Sequence, residues 1–267
     1  MRPWLLIGLV ASVGCRRPPD APAELDELCK YLYTHMSDEE DDALAAGVVN
    51  LDTWLASRMS ETSEGYTVEN LDQATVNALD GEERDLTGLV GAAVGNDSAF
   101  TPKEVVDTIV LANQMEVSPG TYSEYNREWK EPSSSAPDCF PGHGCAYAQA
   151  ENTSTAAYPL GLEVTSTNTA QYRWVETEVG WAMVHRTWLI EYVDNKDWVD
   201  LDSQFYMTVT IPRDDGTARR LQATWMVARL SEDMGVPENL ALSMVVDSMQ
   251  GIAEDIETYL GGGEPEE

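Results

Sequence analysis

Between Leu201 and Ile211 the side chains alternate: Leu201, Ser203, Phe205, Met207, Val209 and Ile211 interleave with Asp202, Gln204, Tyr206, Thr208 and Thr210. Period two belongs to a strand with one face buried and one wetter. Leu221, Ala223, Trp225 and Val227 repeat it against Arg220, Gln222 and Thr224, and Pro212–Gly216 (PRDDG) between them is turn chemistry. Tyr172–Glu176 and Trp181–Tyr192 precede them, parted by a turn at Val179-Gly180. Four strands on short turns predict an antiparallel meander. Then Leu242, Val245, Met249, Ile252, Ile256 and Tyr259 step by 3 or 4, a helical stripe opened at Pro237 and closed at Gly261. The nearest partner for that stripe is the buried face of the sheet.

Upstream the period is helical. Leu25, Leu28, Cys29, Leu32 and Met36 form one stripe, with Cys29 a buried free thiol. Ser37 to Glu40 reads as a capping box for a helix carrying Leu44, Val48, Leu51 and Leu55. A weaker helix is expected over 68–80, and helix or loop over the Gly/Ala-rich 87–99. Thr101-Pro102-Lys103-Glu104 is a second helix start. Thr121 and Glu124 suggest a third, with Tyr122, Tyr125 and Trp129 along one side of a short helix. The organisation expected is a signal peptide over 1–14, a Pro-rich tether over 15–23, a helical region over 24–130, and a linker with a Cys loop over 131–170. Sheet plus C-terminal helix then occupy 171–261, with a tail over 262–267. The fold class is α+β: a helical N-terminal half, then a four-stranded antiparallel meander packed on a long C-terminal helix.

The chain has 47 acidic and 16 Lys or Arg side chains, net −31. That excess repels nucleic acid and anionic lipid. It is uneven, for residues 171–230 carry 7 basic and 9 acidic groups and are nearly neutral.

The first residues, MRPWLLIGLVASVGC, join Arg2 to an apolar run of about eight residues and the small Ser12-Val13-Gly14. A bilayer core needs ~20 helical residues, so the run reads as an export signal. Ending in Cys15, it resembles a bacterial lipoprotein signal, in which that Cys is acylated and becomes the mature N-terminus. Ordinary cleavage at the same bond, leaving Cys15 a thiol, is the open alternative. Together with the CFPGHGC loop (139–145) and the strands QYRWVETEVGWAMVHRTWL (171–189), the chain resembles uncharacterised lipoproteins that some Gram-negative bacteria export. That resemblance implies anchoring through Cys15 in the outer membrane, since residue 16 is Arg and not the Asp that retains lipoproteins in the inner membrane of some enteric bacteria.

Cys139 and Cys145 flank Pro141, Gly142 and Gly144, and in an oxidising compartment they read as a local disulfide. With His143 they offer only three metal ligands, and no second Cys/His pair occurs, so no metal is expected. Asp194, Asp197, Asp200 and Asp202 lack the spacing of a calcium loop. No phosphate loop, nucleotide fingerprint or nucleophile elbow is present, so no cofactor is expected.

Three functions are carried forward. The first is a non-enzymatic envelope lipoprotein that binds an unknown envelope partner or scaffolds. The second is a carrier of a small apolar ligand. A sheet gripping a long helix resembles helix-grip lipid-binding folds, with Trp174, Trp188, Phe205 and Trp225 as aromatics of the gap or of the core, although those folds place a strand before their helices and none is seen before residue 24. The third is a hydrolase using His185.

Overall fold

The structure is a computed structural model that describes residues 20–132, 136–158, 162–195, 199–230 and 240–265. Cys15, the signal segment, Asp197 and Pro237 lie outside the described residues. In chain order the elements are helices α1 (Leu25–His35) and α2 (Asp42–Arg58), strand β1 (Tyr66–Thr67), helix α3 (Gln73–Asp80), strand β2 (Val90–Asp97), helix α4 (Pro102–Ile109) and strand β3 (Tyr122–Glu131). A short helix α5 (Ala136–Cys139) leads to β4 (Tyr147–Tyr158), β5 (Leu162–Thr177), β6 (Gly180–Leu189), β7 (Val193–Asn195), β8 (Val199–Pro212), β9 (Ala218–Leu230) and helix α6 (Leu240–Leu260).

The sheet corrects the four-stranded expectation. Among the described residues nine strands form one antiparallel sheet, ordered β1-β2-β9-β8-β6-β5-β4-β3, with β7 beside β8. The N-terminal half is therefore mixed and not a helical unit, since β1, β2 and β3 come from it along with α1 to α4. β2 threads in beside the last strand, pairing Val90 with Met226 through to Asp97 with Arg219.

The face carrying Val184, Trp188, Phe205, Met207, Leu221, Ala223 and Trp225 packs against α1 and α2. The stripe Leu25, Leu28, Cys29 and Leu32 is fully buried there, as are Leu44, Val48 and Leu51 of α2, each contributing roughly 1.5–3 kcal/mol. Burial also keeps Cys29 protonated by pushing its thiol pKa up. The two helices approach closely at Gly47, where a Cβ would stand 2.7 Å from Leu32 Cδ2. Trp225 donates through Nε1 to the Glu69 carbonyl at 2.9 Å and meets Tyr33 edge-on at 5.4 Å.

The C-terminal stripe takes the opposite face. Met249 and Val246 of α6 pack on Ala92 and Val94 of β2, and Gln222 Nε2 donates to the Met249 carbonyl at 2.8 Å. The alternation that identified the strands identified their apolar face correctly, but α1 and α2 cover that face and α6 covers the polar one. Sheet residues Ala218 to Val227 are consequently buried without interruption, polar and apolar alike.

Ser37 does not cap a helix. Its Oγ accepts from Arg186 Nη2 at 2.8 Å, and the acids after it are gathered by Arg173, which pairs with Asp41 at 2.6 Å and donates to the Met36, Asp38 and Glu39 carbonyls. Thr101 does cap α4, and its partner Glu104 returns the bond to the Thr101 N–H at 2.8 Å.

Candidate functional site

α6 and the end of α4 stand off the polar face of the sheet and leave a cavity of about 200 Å³ between them. Val245, Met249, Ile252 and Ile256, with Ser248 among them, form its α6 wall. Opposite them are the members of β8 and β9 that alternate away from the α1–α2 core, Gln204, Tyr206, Thr208, Arg220 and Thr224. A hydroxyl–amide chain ties this floor to the wall. Thr208 Oγ1 donates to Tyr206 Oη (3.0 Å), Tyr206 Oη donates to Gln222 Oε1 (2.5 Å), and Gln222 reaches α6.

Two guanidiniums line the cavity, and no carboxylate does among the described residues. Arg127 on β3 is fully engaged. Its Nε donates to Asn152 Oδ1 at 2.9 Å, its Nη1 to the Ile109 and Leu111 carbonyls at 2.8 and 2.9 Å, and its Nη2 to Tyr125 Oη at 2.6 Å. It closes the C-terminal end of α4, where exposed carbonyls favour a cation. Arg220 on β9 differs. It is 1% exposed, and neither Nε nor Nη1 has a hydrogen-bond partner. Burial lowers its pKa, while Tyr206 and then Glu257 oppose that. Glu257 spends Oε2 on the Ala99 N–H at 2.9 Å, and its Oε1 is buried without a partner.

His185 lies on the same face, stacked on Tyr172 with ring centroids 4.4 Å apart and planes 6° from parallel. Neither ring nitrogen has a partner. Burial, and then the Arg127 charge, pushes its pKa down to about 3. The ring therefore stays neutral, and no described acid orients it, as a catalytic His requires.

The sequence matches no protein-family model. No curated protein matches it either. Among solved structures it is similar to a STAR-related lipid transfer protein from Xanthomonas axonopodis, 9% identical, with 74% of this chain and 98% of that one covered and a TM-score of 0.44. A START superfamily protein from Mycobacterium smegmatis is 9% identical over 64% of this chain and 97% of its own, TM-score 0.39. A major latex-like protein from Panax ginseng is 9% identical over 64% and 97%, TM-score 0.32.

The four aromatics expected to line the gap or pack in the core are core residues and do not line the cavity. Trp188, Phe205 and Trp225 belong to the α1–α2 core. Trp174 packs with Phe140, Tyr172 and Met183 beside α5, its Nε1 donating to the Phe140 carbonyl at 2.7 Å. Period two shows which residues share a face and is silent on which face meets the cavity. Cys139 and Cys145 are joined as a disulfide, which removes both thiolates from any metal set, and His143 stacks on Trp181 at 5.0 Å. Asp202 pairs with Arg229 at 2.8 Å. Among the described residues no cluster of His, Cys, Asp or Glu could hold a metal. No described helix is long and apolar enough to cross a membrane. Arg220, Tyr206 and Gln222 were missed as site residues because they read as the solvated side of a half-buried sheet. The signal for them is the near-neutral block 171–230 in an otherwise acidic chain.

Proposed function

We propose that this protein is a carrier that encloses a small, largely apolar molecule between its sheet and α6, delivered to the cell envelope and held there by an acylated Cys15. The cavity carries the first part of the reading. Met249 packs on Ala92 and Val94 and Val245 on Leu189, Leu201 and Met226, yet these contacts do not fill the space over the polar floor, and Val245, Met249, Ile252 and Ile256 also line the cavity left there. A cavity of about 150 Å³ suffices for a benzene-sized guest, so 200 Å³ admits a compact ligand or a short chain. The export signal and Cys15 support the second part, from the sequence alone. The cavity favours the carrier over a scaffold, and the partnerless, neutral His185 gives a hydrolase no support.

Thermal melting of wild type and Ile252→Ala, each with a panel of fatty acids, tests the carrier. The expected result is that a panel member raises the wild-type melting temperature by mass action, worth about 2.7 kcal/mol at a hundredfold excess over Kd. Ile252 is only partly buried, so its truncation should cost less than the ~2–5 kcal/mol of a packed core position. A full-sized loss with no ligand response would return the scaffold.

A further inference from the structure

We infer that the molecule held in the cavity is an amphiphile with an anionic head, received by Arg220, and an apolar body laid along α6. The inference rests on the carrier reading and deepens it. Arg220 is buried to 1% exposure and lines the cavity, yet its Nε and Nη1 donate to nothing. A buried cation is tolerated when it is paired and hydrogen-bonded, and Arg220 meets neither condition among the described residues. The neighbouring guanidinium shows what a structural arginine looks like here, since Arg127 places its donors on two carbonyls, an amide and a phenol. Those partners are all neutral, so the cavity holds two cations against no lining carboxylate, in a protein of net charge −31.

The missing partner is then an anion brought from outside, and a guanidinium presents a planar fork suited to carboxylate or phosphate. The opposite wall fixes the rest of the ligand. Of its side chains only Ser248 is polar, against Val245, Met249, Ile252 and Ile256, so the remainder of the molecule is largely apolar. Thr208, Tyr206 and Thr224 share the floor with Arg220, but their hydroxyl hydrogens go to Tyr206, Gln222 and the Phe205 carbonyl, which leaves Arg220 as the donor for the head. Glu257, the carboxylate whose charge Arg220 feels, makes no ion pair with it among the described residues and is not in the cavity wall.

The test is calorimetric binding to the full chain of octanoate, 1-octanol, octylamine and inorganic phosphate, with wild type and Arg220→Met. The three octyl compounds share a body and differ in the head, and phosphate asks whether the charge alone suffices. A hydrogen bond to a charged group separates octanoate from octanol by roughly ten- to a hundredfold, with octylamine weakest and phosphate below detection. Arg220→Met should abolish the octanoate preference while leaving octanol unchanged. Its ligand-free melting temperature should rise, because an unpaired buried charge is removed. Equal binding of octanoate and octanol to wild type overturns the anionic head and leaves the carrier standing. Binding of phosphate as tight as octanoate overturns the amphiphile in favour of a bare anion site. Binding of nothing overturns the inference together with the carrier. Should Arg220→Met fail to fold, the wild-type order of affinities decides alone.

Discussion

His185 shows at the residue scale how the polar face of the sheet differs from an ordinary solvated one. Tyr172 covers its ring, Tyr206 meets it edge-on at 6.1 Å, and the Arg127 guanidinium adds like charge. Its pKa falls to about 3, against ~6.5 in an unfolded chain. The unfolded state therefore binds the proton first, and the stability this gives is complete above ~6.5 and lost as the pH falls toward 3, at up to about 1.4 kcal/mol per pH unit. His185→Phe retains a flat ring on Tyr172 and cannot take up a proton. Denaturant melts at pH 7 and pH 5 should show wild type losing about 2 kcal/mol more than His185→Phe over that interval. Parallel losses would mean that the ring is solvated. Arg220 extends the contrast, for a side chain that reads as surface in a half-buried strand becomes one of the largest fully buried side chains in the molecule.

Whole elements were legible where period and packing agree. The stripe of α1, the Thr101 cap of α4, the alternation of β8 and β9 and the stripe of α6 all form as the sequence dictates. β3 was misread for a physical reason. A register shift between Tyr122 and Glu124 spaces Tyr122 three residues from Tyr125, which mimics a helical turn, while Tyr125, Arg127 and Trp129 beyond it keep period two. β2 was illegible because its residues are small. A Cβ on Gly91 would stand 2.5 Å from Trp225 Cδ1, so the strand is thin where the indole crosses it. β4 and β5 pair through hydroxyls, Thr153 with Thr167 at 3.1 Å and Thr155 with Thr165 at 2.9 Å, and such strands give little hydrophobic signal. The site was least legible, because which face of a sheet is hollow depends on how far a helix stands off. The loop after α5 was readable, and its bridge spans a sequence separation of 6. Replacing Cys139 and Cys145 together by Ala should cost about 2 kcal/mol on loop-entropy grounds, read from denaturant melts. Peptide mapping without reductant should return Cys29 as a free thiol, and Cys29 found joined to either partner would refute the pairing.

At the scale of the molecule the two sheet faces divide the work between a dry core under α1 and α2 and a cavity under α6. The N-terminal tether meets the body on the core side, where Asn50 Nδ2 of α2 donates to the Ala21 and Pro22 carbonyls at 2.9 and 2.8 Å. Ala21 and Pro22 of the tether thus lie on α2, across the sheet from the cavity. Growth with a labelled fatty acid should mark the wild-type protein and draw it into detergent, and Cys15→Ala should lose both label and partitioning. An unlabelled wild type would leave ordinary secretion. The pairing of β2 with β9 bears on the order in which the molecule is assembled. Residue 90 lies against residue 226, so β1 and β2 have no sheet to join until the last strand has been synthesised. The apolar stripes of α1 and α2 wait with them, since Phe205, Leu221 and Trp225, which cover them, arrive equally late. Contacts this distant in sequence fold slowly and leave sticky surface uncovered meanwhile. That order of assembly suits the export proposed above, in which a chain has to reach a translocation pore before its sheet has closed.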